Sequence, residues 1–178
     1  MKRILLAACI AGCALGLGAQ TVLAESVKVP MNKISGEGVG EAIGFVTFDD
    51  DGKGGMHITV ELAGIATGDH GMHVHENASC APASKDGVNV AGLAAGGHYD
   101  PTHAGKHEGP GKHGHKGDLP LITADAQQNV KAMLHVSDLT TKDIQGRSLM
   151  IHAGGDNYSD QPAPLGGGGA RIACGVIK

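Results

Sequence analysis

The sequence predicts an all-β protein that folds as a single domain. Short segments with apolar residues at partly alternating positions are separated by turn clusters rich in Gly, Asp and Asn, which favours a β-sandwich or a β-barrel. Thirty of the 178 residues are glycine, which suits tight turns and long irregular loops. Tryptophan is absent and aromatic residues make up 2% of the chain, so the core must consist mainly of Val, Ile, Leu, Ala and Met.

The first half of the chain is predicted to contain four strands. Residues 27–34 and 38–48 form the first two, since apolar residues partly alternate in both. The Asp/Gly-rich cluster at 49–55 is a turn into the alternating segment 56–62, which predicts a β-hairpin. A short strand is predicted at 71–76.

A long and mostly irregular region is predicted at residues 77–122, because it is rich in Gly and Pro. So long a segment without regular structure is uncommon in a compact domain and is usually functional. The remaining predicted elements are a strand at 130–136, a short helical turn within 138–145, a strand at 148–153, a Gly/Pro-rich loop at 154–169 and a last strand at 170–177.

Histidines are concentrated where a strand meets the irregular region. On a strand, residues two positions apart point to the same face, so His73 and His75 present their rings side by side. Imidazole suits both copper and zinc. Further candidate ligands lie in or next to the two long loops: His98, His107, His115, Asp118 and His152. This pattern predicts a metal centre formed by one strand and the loop that folds over it.

The N-terminus is predicted to be a signal peptide covering residues 1–24. Lys2 and Arg3 provide the positive start, residues 4–18 are apolar, and Val22-Leu23-Ala24 fits a cleavage site before Glu25. The competing interpretation is a lipoprotein signal with lipidation at Cys13. Nothing after residue 25 approaches the apolar length of a membrane span, and the net charge of −4 offers no basic surface for nucleic acid.

Several segments in the same order resemble the copper/zinc superoxide dismutases in their bacterial secreted form. They are the His-x-His strand followed by Cys80, the turn 97–101 (Gly-His-Tyr-Asp-Pro), His115-x-x-Asp118, the segment 154–157 (Gly-Gly-Asp-Asn) and the tail 166–177. The resemblance covers nearly the whole chain after about residue 25, which would make residues 25–178 the enzyme domain. It implies an eight-stranded Greek-key β-barrel of the immunoglobulin-like sandwich type, with long metal-binding and active-site loops. It also implies conversion of superoxide, a small anion, to dioxygen and hydrogen peroxide in the periplasm, by either a monomer or a homodimer.

The resemblance also assigns the site residues. It implies copper on His73, His75, His98 and His152, and a structural zinc on His98, His107, His115 and Asp118, with His98 shared. Two further residues have roles beside the metals. Asp156 is expected to orient His73 and His107, and the catalytic pair is Arg171, which attracts the anion, and His98, which exchanges a proton. The alternatives are a loosely binding histidine-rich loop, His113 in place of His115, and an Asp156 and Arg171 that are merely solvated.

Cysteine usage agrees with export. Cys9 and Cys13 would leave with the signal peptide, so that Cys80 and Cys174 remain as an even pair. The alternatives for this pair are a disulfide and two buried free thiols. An oxidising compartment and the resemblance together favour the disulfide.

Five histidines match no ligand position of the family: His57, His70, His103, His113 and His135. His70 is expected to be an exposed loop residue, and His57 and His135 to be surface or hydrogen-bonded residues on strands. Two other functions compete with the enzyme. A copper or zinc buffer would need the histidines but neither Asp156 nor Arg171, whereas a zinc hydrolase would need an open coordination position that four protein ligands do not leave.

Overall fold

The structure, a computed structural model, describes residues 25–178, which form an almost entirely β protein. The predicted signal peptide and the alternative lipidation at Cys13 lie outside the described residues. Within the described range there is one short helix, α1 (Thr141–Ile144), where the helical turn was predicted. Two 3₁₀ turns occur at Leu93–Ala95 and Leu165–Gly167.

Eleven strands follow one another in the described chain. They are β1 (Ser26–Ser35), β2 (Gly38–Asp50), β3 (Met56–Ala63), β4 (Gly68–His70), β5 (Met72–His75), β6 (Ala83–Lys85), β7 (Val88–Val90), β8 (Ile122–Ala124), β9 (Asn129–Val136), β10 (Ser148–His152) and β11 (Arg171–Val176). The strands predicted from the alternating pattern all occur, with ends that differ by a few residues.

The strands are arranged as a curled sheet closed by a small ribbon. Seven strands form one antiparallel sheet in the order β5-β10-β11-β1-β2-β3-β9, and β4 pairs separately with β8. β4 runs into β5 across Gly71, and β8 leads into β9 through a turn in which Asp125 N–H donates to Asn129 O at 2.8 Å. The ribbon therefore connects the two edge strands of the large sheet. With β4 and β5 counted as one interrupted strand, the predicted eight-stranded barrel is confirmed.

The core is filled by the inward positions of the alternating strands. On β3, Met56, Ile58 and Val60 are fully buried, while His57 and Glu61, which point to the other face, are exposed. Phe48 is the only fully buried aromatic side chain among residues 25–178, and the rest of the main cluster is aliphatic or Met. The predicted core composition is therefore confirmed.

A disulfide ties the loop after β5 to the last strand. Cys80 and Cys174 are bonded, with 5.7 Å between their Cα atoms, and they pack with Ile34, Ala95 and Met150 in a second buried cluster. The predicted disulfide is thus present. The two cysteines are 94 residues apart, and the chain-entropy description of such a long loop assigns the bond about 4–5 kcal/mol of stability.

The region 77–122 is mostly irregular, as predicted, but it includes one short hairpin that was not. It contains the β6–β7 hairpin, and β8 begins at its last residue. The hairpin turns through Asp86 and Gly87, which have φ angles of 52° and 79°, so an Asp-Gly pair provides the two positive φ values of a tight turn. This dipeptide was a usable signal for a hairpin that was not predicted, although most of the segment is irregular as expected.

Candidate metal centre

Two paired strands carry three of the candidate ligands. His73 and His75 lie on β5, which pairs with β10, and His152 is the last residue of β10. All three side chains are buried. The pleat turns Met72 and Val74 into the main apolar cluster, so the two histidines of β5 share the opposite face, as the i, i+2 spacing predicts.

The long loop extends this sheet locally and brings two more ligands to it. Tyr99 N–H donates to Val74 O at 2.8 Å, and Val74 N–H donates to Gly117 O at 2.9 Å, so loop segments lie on β5 like short strands. Isolated β-bridges pair His75 with His98 and His73 with Asp118. Main-chain pairing with β5 therefore holds His98 and Asp118 beside the strand histidines.

The side chains converge in two groups that share residues. In the first group, one nitrogen from each of four rings lies within 4.8 Å of every other: His73, His75, His98 and His152. The second group meets the same criterion and consists of His73, His98, His107 and Asp118. His115 lies just outside it, with Nδ1 3.5 Å from Asp118 Oδ1. His113, two residues earlier, is exposed.

The converging atoms have no hydrogen-bond partners. Eight buried side-chain nitrogen or oxygen atoms of residues 25–178 are unpartnered, and seven belong to the predicted ligands. These seven are His73 Nδ1, His75 Nε2, His98 Nε2, His107 Nδ1, His115 Nδ1, Asp118 Oδ2 and His152 Nε2. Leaving buried polar atoms unpaired costs free energy, which metal coordination would recover. Four imidazoles suit copper, and three imidazoles with one carboxylate suit a closed zinc site, so the residues fit both ions.

The opposite ring nitrogens are hydrogen-bonded, which fixes the tautomers. His75 Nδ1–H donates to Gly96 O at 3.0 Å, and His152 Nδ1–H donates to Gly169 O at 3.2 Å. Each of these rings therefore keeps its Nε2 lone pair free on the side facing the other ligands. Such hydrogen bonds behind a ligand orient the ring and raise its basicity.

Asp156 connects the two groups. Its Oδ2 accepts from His73 Nε2 and its Oδ1 from His107 Nε2, both at 2.7 Å, and Oδ1 also accepts from Tyr158 N–H. Although burial alone would raise its pKa, the hydrogen bonds from His107 and His73 hold the pKa of Asp156 well below its usual range. Asp156 is thus a buried carboxylate shared by the two histidines that the resemblance names, not an exposed loop residue.

The electrostatics differ between the two ends of the centre. Burial lowers the pKa of His98 to about 4 and that of His152 to about 3, so these rings are neutral at physiological pH. Burial also disfavours a charged His107, but two carboxylate oxygens, Asp118 Oδ2 at 2.8 Å from Nδ1 and Asp156 Oδ1 at 2.7 Å from Nε2, raise its pKa to about 9. The end containing His107 therefore has the surplus of negative charge that a divalent cation would neutralise.

Arg171 is fixed beside the first group. It opens β11 directly opposite His152 in the β10–β11 register. Its guanidinium donates to Gly92 O at 2.6 Å and to Gly96 O at 2.7 Å, and the same Gly96 oxygen accepts from His75. Arg171 is half-buried, and burial lowers its pKa from the usual value. A held guanidinium differs from the flexible, solvated side chain of the alternative interpretation.

The expectation that His70 is an exposed loop residue is wrong. His70 ends β4 and is 2% exposed, with Nδ1 2.8 Å from His152 O and Nε2 2.7 Å from Ala66 O. His70 therefore contacts the main chain of a candidate ligand. The missed signal was the period of two, since His70 continues the inward face of Met72 and Val74.

Sequence reasoning also missed Gly166, which lies in the predicted Gly/Pro-rich loop 154–169 and was given no role of its own. Gly166 has a φ of 70°, and a Cβ there would collide with Asp156 Oδ1 and lie 2.9 Å from His107 Nε2. The backbone of the second loop thus packs directly onto the carboxylate. Only glycine permits both this approach and this conformation.

The barrel and its two converging groups define a β-barrel protein with a two-metal histidine centre. Comparison with known proteins narrows this class to one family. Residues 42–177 match the family model described as copper/zinc superoxide dismutase (SODC). The chain is 49% identical to "Superoxide dismutase [Cu-Zn] 2" of Salmonella typhimurium over 100% of both chains. Two solved structures are similar. The Cu/Zn superoxide dismutase from Brucella abortus has a TM-score of 0.83 and 50% identity, and the match covers 86% of this chain and 100% of that chain. The monomeric copper, zinc superoxide dismutase from Salmonella enterica has a TM-score of 0.77 and 49% identity, and the match again covers 86% of this chain and 100% of that chain.

The chain belongs to the copper/zinc superoxide dismutase family. It is an oxidoreductase that acts on superoxide and uses copper and zinc, so the predicted family, activity and cofactors are confirmed. The metal-buffer alternative has no support from these relatives. Among the described residues, no helix has the length and apolar character needed to cross a membrane.

Proposed function

We propose that the seven unpartnered atoms, together with His98 Nδ1, are the metal-binding atoms of a superoxide dismutase centre. Copper is held by His73, His75, His98 and His152, and zinc by His98, His107, His115 and Asp118. The observation that carries this assignment is the convergence of buried nitrogen and oxygen atoms that have no hydrogen-bond partner. His98 is the bridge, because its Nε2 is unpartnered while its Nδ1 lies 2.9 Å from Asp118 Oδ1.

His73 and His115 compete for one position in the zinc set. The tight second group contains His73, but His73 Nε2 already donates to Asp156. Its single remaining nitrogen, Nδ1, belongs with the copper ligands. His115 Nδ1 is buried and unpartnered beside Asp118, so we assign His115 as the fourth zinc ligand.

The protein residues around copper position the substrate and a proton. When bound, copper would supply the one-electron redox change that converts one superoxide to dioxygen and another to hydrogen peroxide. Arg171 uses two of its five N–H donors on Gly92 and Gly96, so its permanent charge and other donors can hold a small anion. Formation of hydrogen peroxide consumes two protons. His98 Nε2 is the atom we assign to hold one of them when it is not bound to copper, and solvent supplies the other.

The zinc assignment predicts different results for neighbouring histidines. His115→Ala should remove tight zinc binding, because it deletes a ligand atom beside Asp118. His113→Ala should keep one zinc per chain, because His113 is exposed. Elemental analysis of the purified variants measures this. Zinc loss in the His113 variant with retention in the His115 variant would reverse the assignment.

We also propose that residues 1–24 are a signal peptide, that residues 25–178 are the mature enzyme domain, and that it works in the periplasm. The Cys80–Cys174 disulfide supports an oxidising compartment. Intact-mass analysis should find a chain that starts at Glu25 and gains mass at two cysteines only when alkylation follows reduction. A diacylglycerol adduct on Cys13 would contradict the cleavage site and support the lipoprotein alternative.

For the oligomeric state of the enzyme, we propose two alternatives, a monomer and a homodimer. The Salmonella enterica relative is described as monomeric, which favours the first. Molar mass by light scattering at several concentrations distinguishes them.

A further inference from the structure

A second histidine pair lies on the outer face of the barrel, outside the metal centre. β3 and β9 pair in a register that places His57 directly opposite His135. Both side chains are exposed, and their ring centroids are 4.9 Å apart at an interplanar angle of 52°. On the other side of β3, the register places Asp49 of β2 opposite His57. One row across three strands therefore carries a carboxylate and two imidazoles.

Asp51 fixes one of these rings. Its Oδ2 lies 3.0 Å from His135 Nε2, while its Oδ1 accepts from the N–H groups of Lys53 and Gly55 at 2.7 and 2.9 Å. The hydrogen bond from His135, with those from the backbone, lowers the pKa of Asp51 to about 2, so the carboxylate is charged at neutral pH. A ring that donates its Nε2–H to a carboxylate keeps its Nδ1 lone pair free. The same carboxylate–histidine arrangement supports ligands in many metal sites.

The remaining nitrogens of the pair are available for a ligand. Within residues 25–178, neither ring nitrogen of His57 nor Nδ1 of His135 has a hydrogen-bond partner. Side chains directly opposite on antiparallel strands have Cβ atoms about 4.5–5.5 Å apart, which lets two imidazoles reach one ion. Among divalent first-row metals, copper binds such nitrogen donors most tightly.

We propose that His57 and His135 form a surface site for one divalent copper ion. Asp51 orients His135, and Asp49 adds negative charge next to the pair. Because the ion has two protein ligands and an open, solvated side, it exchanges more easily than copper in the buried centre. The site shares no residue with that centre. A test of the surface site therefore does not depend on the proposed ligand assignment in the buried centre.

The test is a copper titration of the full enzyme with its buried copper and zinc already loaded and counted. We expect the wild-type protein to bind one extra equivalent of copper in equilibrium dialysis. The extra ion should show an electron paramagnetic resonance spectrum with coupling to two nitrogens. Zinc counted in the same samples separates added copper from copper that replaced zinc.

Variants on the outer face decide the assignment. His57→Gln and His135→Gln should each lose the extra equivalent, and both should keep superoxide turnover and thermal stability. Asp51→Asn should weaken binding about 10–100-fold, as expected when a carboxylate behind a ligand is removed. The matched control is His103→Asn, because His103 is an exposed histidine with a φ of 54°, a conformation that Asn tolerates.

Two results would overturn the proposal. One is a wild-type enzyme that takes up no copper beyond the buried centre. The other is a His57→Gln, His135→Gln double variant that binds the extra ion with the wild-type affinity and spectrum.

Discussion

Arg171→Glu is expected to slow the reaction with superoxide strongly while leaving the copper spectrum nearly unchanged. The substrate is an anion and the whole chain has a net charge of −4. A fixed positive charge beside the proposed copper ligands is therefore needed to attract the substrate. Electrostatic focusing of this kind changes association rates by about 10–10³-fold. Arg171→Ala should lie between the wild type and Arg171→Glu, because it removes the attraction without adding repulsion. Stopped-flow measurement of superoxide decay gives the rates.

Salt and two further variants separate charge from structure. The wild-type rate should fall as ionic strength rises, since screening weakens attraction over about 10 Å at 0.1 M salt. Arg171→Lys keeps the charge but not the paired hydrogen bonds to Gly92 and Gly96, so it reveals how much the guanidinium fork contributes. Lys85→Glu on β6 makes the same change in net charge at an exposed position and should have a much smaller effect. An Arg171→Glu variant as fast as wild type at low ionic strength would remove Arg171 from the mechanism.

Asp156→Ala is expected to loosen both metals at once. The variant deletes the acceptor of His73 Nε2 and of His107 Nε2, so one ligand of each ion loses its orientation. Removing such a partner typically costs about 10–100-fold in metal affinity or activity. The measurement is the metal retained during a chelator challenge, with copper and zinc counted separately.

A neighbouring variant controls for loop disruption. Asn157→Ala changes an exposed residue of the same loop, whose side chain donates to Gln161 O and accepts from Ser159 N–H, and it should retain both metals. If Asp156→Ala kept copper and zinc as long as Asn157→Ala, the contacts of Asp156 would have no role in holding the metals.

Local patterns in the sequence predicted the barrel strands well, because one face of each strand is buried. The alternation of Met56, Ile58 and Val60 marked the inward face of β3, and the same period placed His73 and His75 together. It would also have placed His70 inside, had the period been continued backwards from Met72. The Asp86-Gly87 turn was likewise readable from the chain.

Other parts of the site had no local signal. His98 and Asp118 reach the centre because distant loop segments pair with the backbone of β5. No periodic pattern of residues in the sequence predicts such pairing. Resemblance to a family named these residues, whereas strand and turn patterns could not. The close packing of Gly166 on Asp156 is similarly a property of the tertiary fold, since nothing distinguishes that glycine from its neighbours in the run.

Superoxide turnover measured against copper content tests the central claim most directly. The enzyme is stripped of copper with zinc retained, then reloaded in steps, and both metals are counted at each step. We expect the rate to be lost on copper removal and to rise in proportion to copper up to one equivalent in the buried centre, with no further gain from copper bound at the surface. A rate that is independent of copper content, or that follows zinc alone, would contradict the account.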